Sequence, residues 1–162
     1  MQNAEYFIKH LNLLPHPEGG YYRQICQSDE NVSFDRFDGS RLLWTSIYFL
    51  LRDGEISHFH RLLSDELWYY HGGSALSIYI IDADGKLQIR QLGLNVEAGE
   101  EPQILVPRGT IFGSKMNLPG FSLVGCMVSP GFDFHDFEML KKTDMLRDYP
   151  QYGEIIEEMC IE

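Results

Sequence analysis

A chain of 162 residues with 44% hydrophobic and 13% aromatic side chains can bury one core without staples and is too apolar to be disordered. Thirteen Lys and Arg against 24 Asp and Glu give a formal net charge of −11, which argues against nucleic acid and anionic membrane as partners, because phosphate binding requires a basic patch. Three cysteines, Cys26, Cys126 and Cys160, form no close pair, so neither a disulfide framework nor a zinc knuckle is expected.

The N-terminal stretch lacks the basic patch and continuous apolar region of a signal peptide. The longest apolar run, residues 42–51, is too short to span a bilayer, and a soluble cytoplasmic protein is expected. Asn3 is placed to cap a first helix, with Phe7, Leu11 and Leu14 on one face and Pro15 and Pro17 as its stop. Gly19 and Gly20 allow a tight bend, after which Tyr21–Gln27 alternates as a strand. Residues 28–40 are polar and read as a loop. Residues 42–51 then read as one long strand, apolar on both faces and therefore central in a sheet.

From there the chain is a succession of short strands. They are expected over Ile56–Arg61, residues 66–71, 75–81 and 86–92, Gln103–Val106, and residues 110–116 and 121–128. Asp82-Ala83-Asp84-Gly85 is a strong hairpin signal. Strands at this spacing, with Gly-rich turns and no intervening helices, indicate a sandwich or barrel in one domain over residues 1–162. Beyond Asp136 the pattern suits helices, with Phe137 and Leu140 in the first and Ile155, Ile156 and Met159 in the last.

Chemistry concentrates between His58 and Gly73. In a regular strand His58 and His60 share a face, and Glu66 opens the next strand nearby. Two imidazoles and a carboxylate on one face suit a divalent metal or proton transfer. Trp68 shares parity with Glu66 and could offer a flat face to a ligand, although core packing is as good an account. His71, of opposite parity, is expected outside. Arg23 follows the glycine bend and could clamp a carboxylate or phosphate; a surface ion pair is the simpler reading. Arg61 and Arg108 are expected in surface pairs, and Cys126 as a small buried hydrophobe.

The run Gly54…His58-x-His60…Glu66…Gly73 resembles the first motif of the cupin superfamily, and Gly99…Pro107-x-Gly109-x-x-Phe112 resembles the second. Four further blocks, HPEGGYYR, HR…SDELW…HGG, VPRGTIF and SPGFDF, resemble the cupin-5 (domain of unknown function 985) family from about Leu11 to Leu146. The resemblance implies an all-β double-stranded β-helix, or jelly-roll, barrel with a short N-terminal helix and C-terminal helices, commonly a homodimer.

It also implies a metal set of His58, His60 and Glu66 with a fourth ligand at position 112, where this chain has Phe. The set is therefore incomplete, no cofactor is expected, and a divalent metal is the less favoured reading. In the metal-free epimerases of the superfamily an imidazole acts as base and a tyrosine as acid. By that analogy His60 is the base, Glu66 its orienting partner, and Tyr22, Tyr48, Tyr70 or Tyr79 the acid; each tyrosine is equally at home filling a barrel wall. His58, Trp68, Arg23 and Phe112 are the expected ligand contacts. The expected function is a small-molecule-binding cupin acting as an isomerase or epimerase on a carbohydrate-like or acidic metabolite. A non-catalytic binding or sensing module is the alternative, and a metal-dependent enzyme the further one.

Overall fold

The computed structural model describes residues 2–162. Asn3 caps the first helix, α1 (Ala4–His10), by accepting the Tyr6 N–H at 2.9 Å. The strands that follow are β1 (Leu14–Pro15), β2 (Tyr21–Gln27), β3 (Asn31–Val32), β4 (Arg41–Leu42), β5 (Thr45–Arg52) and β6 (Ile56–Arg61). Then come β7 (Asp65–Gly73), β8 (Leu76–Ile81), β9 (Leu87–Leu92), β10 (Gln103–Val106), β11 (Ile111–Lys115), β12 (Phe121–Ser129) and β13 (Glu138–Met139). Helices α2 (Lys142–Asp148) and α3 (Gly153–Met159) close the chain.

All the strand pairs are antiparallel. One sheet runs β1-β2-β5-β12-β7-β10 and the other β13-β6-β11-β8-β9, the two halves of a jelly-roll barrel. Their inner faces meet in a core that includes Phe49, Trp68, Ile78, Ile104, Phe112 and Val124. β8 is buried at all six positions because its two faces meet different layers. Leu76, Ile78 and Ile80 face the barrel core, while Tyr79 and Ile81 meet Met145, Ile156 and Met159 of the C-terminal helices. On the other sheet, Phe7, Ile8 and Leu11 of the N-terminal segment cover Leu50 and Leu123. Among the described residues, no helix is long and apolar enough to cross a membrane.

Three expectations are corrected. Leu14 and Pro15 are not the end of the first helix, which stops at His10; they pair with Tyr22 and Tyr21 as β1. Residues 42–51 are not one strand: β4 pairs with β3, inside the expected loop, and the ladder resumes only at Thr45. The intervening groups bond to loops instead, Leu43 N–H to the Glu30 carbonyl at 2.8 Å and the Trp44 carbonyl to Ser28 N–H at 2.9 Å. The stretch around Phe137 and Leu140 is not helical either. Glu138 and Met139 pair with Arg61 and His60, and Leu140 N–H donates to the Phe59 carbonyl at 3.2 Å. The free edge of β6 pairs with this segment, and the helix starts at Lys142.

The bend at residues 16–20 is clamped onto β6. Glu18 carbonyl oxygen accepts the His58 backbone N–H at 2.7 Å, and Gly19 sits at φ +111° against Ile56. A Cβ at Gly19 would fall on the Ile56 carbonyl oxygen, which is backbone and cannot step aside. Gly19→Ala is therefore expected to cost about 3 kcal/mol or more. Urea unfolding at pH 7 measures it, and a midpoint equal to wild type would show that the bend tolerates a side chain.

Candidate functional site

β6 does not alternate regularly. His60 pairs with Phe112 and Ser57 with Ser114, so His58 and Phe59 together oppose the single Gly113. This is a β-bulge, and it reverses the expected facing of side chains. Gly113 permits it: a Cβ there would lie 2.6 Å from the Ser57 carbonyl oxygen. Ser57 and His60, three positions apart, now both face the barrel interior, while His58 is turned aside. Its Nδ1 lies 2.8 Å from the Glu18 carbonyl oxygen, so that ring nitrogen is spent on clamping the bend.

The carboxylate that meets His60 comes from that bend. Glu18 Oε2 lies 2.9 Å from His60 Nε2, and Glu18 Oε1 accepts the Ser57 hydroxyl at 3.0 Å. His60 Nδ1 is 2.7 Å from the His58 carbonyl oxygen. A carbonyl only accepts, so Nδ1 carries a proton, and the Nε2–Oε2 contact must share a second one. Both side chains are buried, at 2% and 7% exposure. The imidazole packs against Phe112, with ring centroids 4.1 Å apart, and against Phe137 at 5.2 Å, both rings tilted to it.

Electrostatics follow from this geometry. Burial works to raise the Glu18 carboxyl, but the charge and hydrogen bond of His60 outweigh it and hold its pKa below the usual value. Burial works to lower His60, and Glu18 overcomes that too, so the imidazole is held above its ordinary value. The pair is ionised as a unit near neutral pH. Glu66 sits on the same cavity wall with no protein nitrogen or oxygen bonded to its carboxyl among the described residues. Burial, reinforced by the charge of Glu18, pushes its pKa up to about 8, so at pH 7 it is a neutral carboxylic acid. Cys126, expected only as a buried hydrophobe, is buried and also directs its thiol to Glu66; burial and then the Glu66 and Glu18 charges keep that thiol protonated.

These groups form the polar side of a cavity of about 230 Å³. The rest of its lining includes His16, Tyr22, Thr45, Ile47, Leu62 and Phe132, with Leu14 and Phe134 more exposed. The volume is below the roughly 300–1,000 Å³ typical of drug-sized ligands, which suits a small metabolite. His16 Nδ1 accepts the Glu18 backbone N–H at 3.1 Å, so its proton resides on Nε2. Burial lowers the His16 pKa against the pull of Glu18, and the ring is neutral.

The structure thus brings His60 and Glu66 to one cavity and leaves other expected contacts outside it. His58 does not line it. Trp68 is buried behind it, against Phe49 and Phe112, and Phe112 packs on His60 without reaching the lining. Arg23 borders the cavity, but its guanidinium donates to the Leu11 carbonyl oxygen at 3.1 Å. Of the four tyrosines considered, Tyr22 lines the cavity. Tyr48 and Tyr79 pack outside the barrel, and the Tyr70 hydroxyl donates to the Gly73 carbonyl. The partner of His60 is Glu18, not Glu66. Among the described residues no group of three or more His, Cys, Asp or Glu could hold a metal ion. With His58 committed to the bend, Phe112 in the fourth position and His60 Nε2 facing Glu18, the residues do not fit a cupin metal centre. Arg61 pairs with Glu138 at 2.9 Å, as expected of a surface cation, and His71 is exposed.

Glu18 and His16 are the functional candidates that sequence reasoning passed over. Their signal was present in the HPEGG block, but the bend read as structural, and 39 positions separate Glu18 from Ser57.

Glu66 makes a signed prediction about stability. The folded carboxyl titrates near 8 and the unfolded one at about 4.5, so between these values the unfolded chain has released a proton that the folded chain keeps. Stability from this group is therefore full below pH 4.5 and falls as pH rises towards 8. Glu66→Gln removes that loss and is expected to gain on the order of 2–4 kcal/mol over wild type at pH 8 compared with pH 5. Urea unfolding at the two pH values reads it, and parallel wild-type and variant profiles would refute the neutral carboxyl.

Comparison with known proteins agrees with this architecture. Residues 5–140 match the family Cupin_5, described as Cupin superfamily (DUF985). An uncharacterized protein of Saccharomyces cerevisiae is 29% identical over 161 aligned residues, covering 90% of this chain and 79% of the relative. A crystal structure from Shewanella oneidensis superposes with a TM-score of 0.91 at 55% identity, covering 99% of each chain. A hypothetical protein from Leishmania major gives 0.93 at 40% identity over 99% of this chain and 100% of that one. Bacillus subtilis oxalate decarboxylase, whose Mn(II) centres have been characterised, superposes at 0.59 with 17% identity over 92% of this chain and 38% of its own, a likeness of fold alone. The chain belongs to the cupin-5 (DUF985) family of the cupin superfamily.

Proposed function

We propose that the protein binds a small polar, carbohydrate-like metabolite in the barrel cavity and moves a proton on it, as an isomerase or epimerase does. The observation that carries this is the proton shared between His60 and Glu18 across 2.9 Å, with the neutral carboxyl of Glu66 on the same cavity. Neighbouring titratable groups driven apart in pKa are the arrangement acid–base catalysis requires. The Glu18 carboxylate, whose oxygens keep lone pairs beyond those used by His60 and Ser57, takes a proton from a carbon beside a ligand carbonyl. Glu66 donates its hydrogen bond to the oxygen on which charge gathers, and Glu18 returns the proton to carbon. Glu66 thereby fills the acid role that the family analogy gives to a tyrosine; Tyr22 is the other cavity group able to do so.

A second reading, a non-catalytic binding module, is favoured by one feature: both imidazole nitrogens of His60 are already engaged within the protein. The two readings separate in D2O. Over a panel of aldoses, ketoses and lactones, the enzyme is expected to wash deuterium into the carbon next to the carbonyl of a bound compound, detected by proton NMR. Glu18→Gln and His60→Gln are expected to slow this by about 100-fold or more while the fold survives. Binding without wash-in would leave the module and remove the enzyme.

A further inference from the structure

The bend that carries Glu18 brings a second functional group to the cavity. His16 opens the bend, and its backbone is tied on both sides: its N–H donates to the Gly20 carbonyl at 2.9 Å, and its carbonyl accepts the Gly19 N–H at 3.0 Å. The side chain lines the cavity and is only 6% exposed. Aromatic rings hold it in place. Tyr22 meets it edge to face at 4.5 Å, with Phe49 and Phe137 at 6.2 Å and Phe134 at 6.4 Å.

The tautomer is fixed by geometry. Nδ1 faces the Glu18 backbone N–H at 3.1 Å, and an N–H only donates, so Nδ1 offers a lone pair and the ring proton sits on Nε2. The same bond keeps a second proton off the ring, so the 3.7 Å approach of Nδ1 to Glu18 Oε2 is not an ion pair. The imidazole is a neutral donor whose accepting nitrogen is spent inside the bend. Its Nε2–H has no protein partner among the described residues, on a side chain more than nine-tenths buried. A buried donor is costly to leave unpaired, and a ligand oxygen in the cavity satisfies it. Arg23 is the rival donor of the lining, but it is exposed and its guanidinium bonds the Leu11 carbonyl oxygen at 3.1 Å.

We infer that His16 is a further catalytic residue: its Nε2–H donates to the carbonyl oxygen of the ligand while Glu18 removes the proton from the adjoining carbon. This rests on the proton-transfer reading of the cavity proposed above, and it adds a second donor beside Glu66. In the step the C–H bond breaks, the proton goes to the Glu18 carboxylate, and the electron pair moves onto the carbonyl oxygen as an enolate. The His16 proton stays on Nε2 and meets that oxygen only as a hydrogen bond. A neutral imidazole suits this task, because a donor already in place strengthens its bond as charge develops and needs no reorganisation. One bend thus delivers base and donor together, and whatever fixes residues 16–20 on β6 fixes both.

Nitrogen-15 NMR of the histidine side chains at pH 7 reads the tautomer and the contact together, with D-xylono-1,4-lactone and dihydroxyacetone as probes. His16 is expected in the neutral Nε2–H form, and that signal is expected to move when a probe shifts the backbone signals of Glu18, His60 and Glu66. His16→Phe keeps an aromatic ring and removes the donor; it is expected to weaken probe binding about tenfold and to slow deuterium wash-in to the probe about 100-fold. His16→Gln, whose amide nitrogen can stand where Nε2 stands, is expected to recover most of both, which lost packing or a lost acceptor for the Glu18 N–H would not allow. If His16→Phe does not fold, the wild-type Nε2–H signal still decides. A probe that shifts the Glu18 and His60 signals without moving the His16 Nε2–H overturns the role of His16 and leaves the cavity reading intact. So does a probe whose binding is lost on Arg23→Gln and kept on His16→Phe. Contact at His16 without wash-in to either probe removes the catalytic role. If no probe moves any cavity signal, both this inference and the reading it rests on fall.

Discussion

Two opposite charges taken out of water each lose several kcal/mol of hydration, and a barrel interior recovers this only through close and complete pairing. Glu18 and His60 are held to that requirement by three elements at once. The bend at residues 16–20 supplies the carboxylate, and the bulge in β6 supplies both the imidazole and the Ser57 hydroxyl. The strand at Glu138–Met139 brings Phe137 against the ring. A shift of one residue in β6 would turn His60 outward and leave the Glu18 carboxylate buried and unpaired. The pair therefore fixes register as well as occupying the cavity.

Its charge sets the behaviour of its neighbours. Glu66 remains protonated because it is buried and because Glu18 already holds the negative charge that the site can support. Cys126, behind it, keeps its thiol proton for the same two reasons. Within the cavity the Glu18 carboxylate is matched by His60 and Glu66 is neutral near pH 7, so most of the protein's −11 lies elsewhere. The acidic composition consequently says little about the ligand.

The sequence was informative where one strand or one turn decides the outcome. Alternation in Gln103–Val106, the Asp82–Gly85 hairpin and the cap at Asn3 all depend on neighbours in the chain, and they appear where the pattern places them. The motif singles out His60 and Glu66, and both lie on one cavity wall. What was not legible depends on partners distant in sequence. The break at Leu43–Trp44 is made by hydrogen bonds to Ser28 and Glu30, and the strand at Glu138 by the open edge of β6. The bulge at His58–Phe59 is the most consequential case. Parity predicts that His58 joins His60, and one extra residue opposite Gly113 replaces it with Ser57.

That substitution bears on how the fold relates to chemistry. A cupin that binds a metal needs its histidines and carboxylate to converge with lone pairs free. Here His60 Nε2 faces a carboxylate, His58 bonds a backbone carbonyl, and the position of the family's remaining histidine is Phe112, which packs at a tilt against the imidazole. A divalent cation at this point would have to displace the proton shared by Glu18 and His60. In this chain a bulge, a bend and one phenylalanine set the arrangement. The interior that results pairs a buried carboxylate with a buried imidazole at the point where a metal-binding cupin converges its ligands.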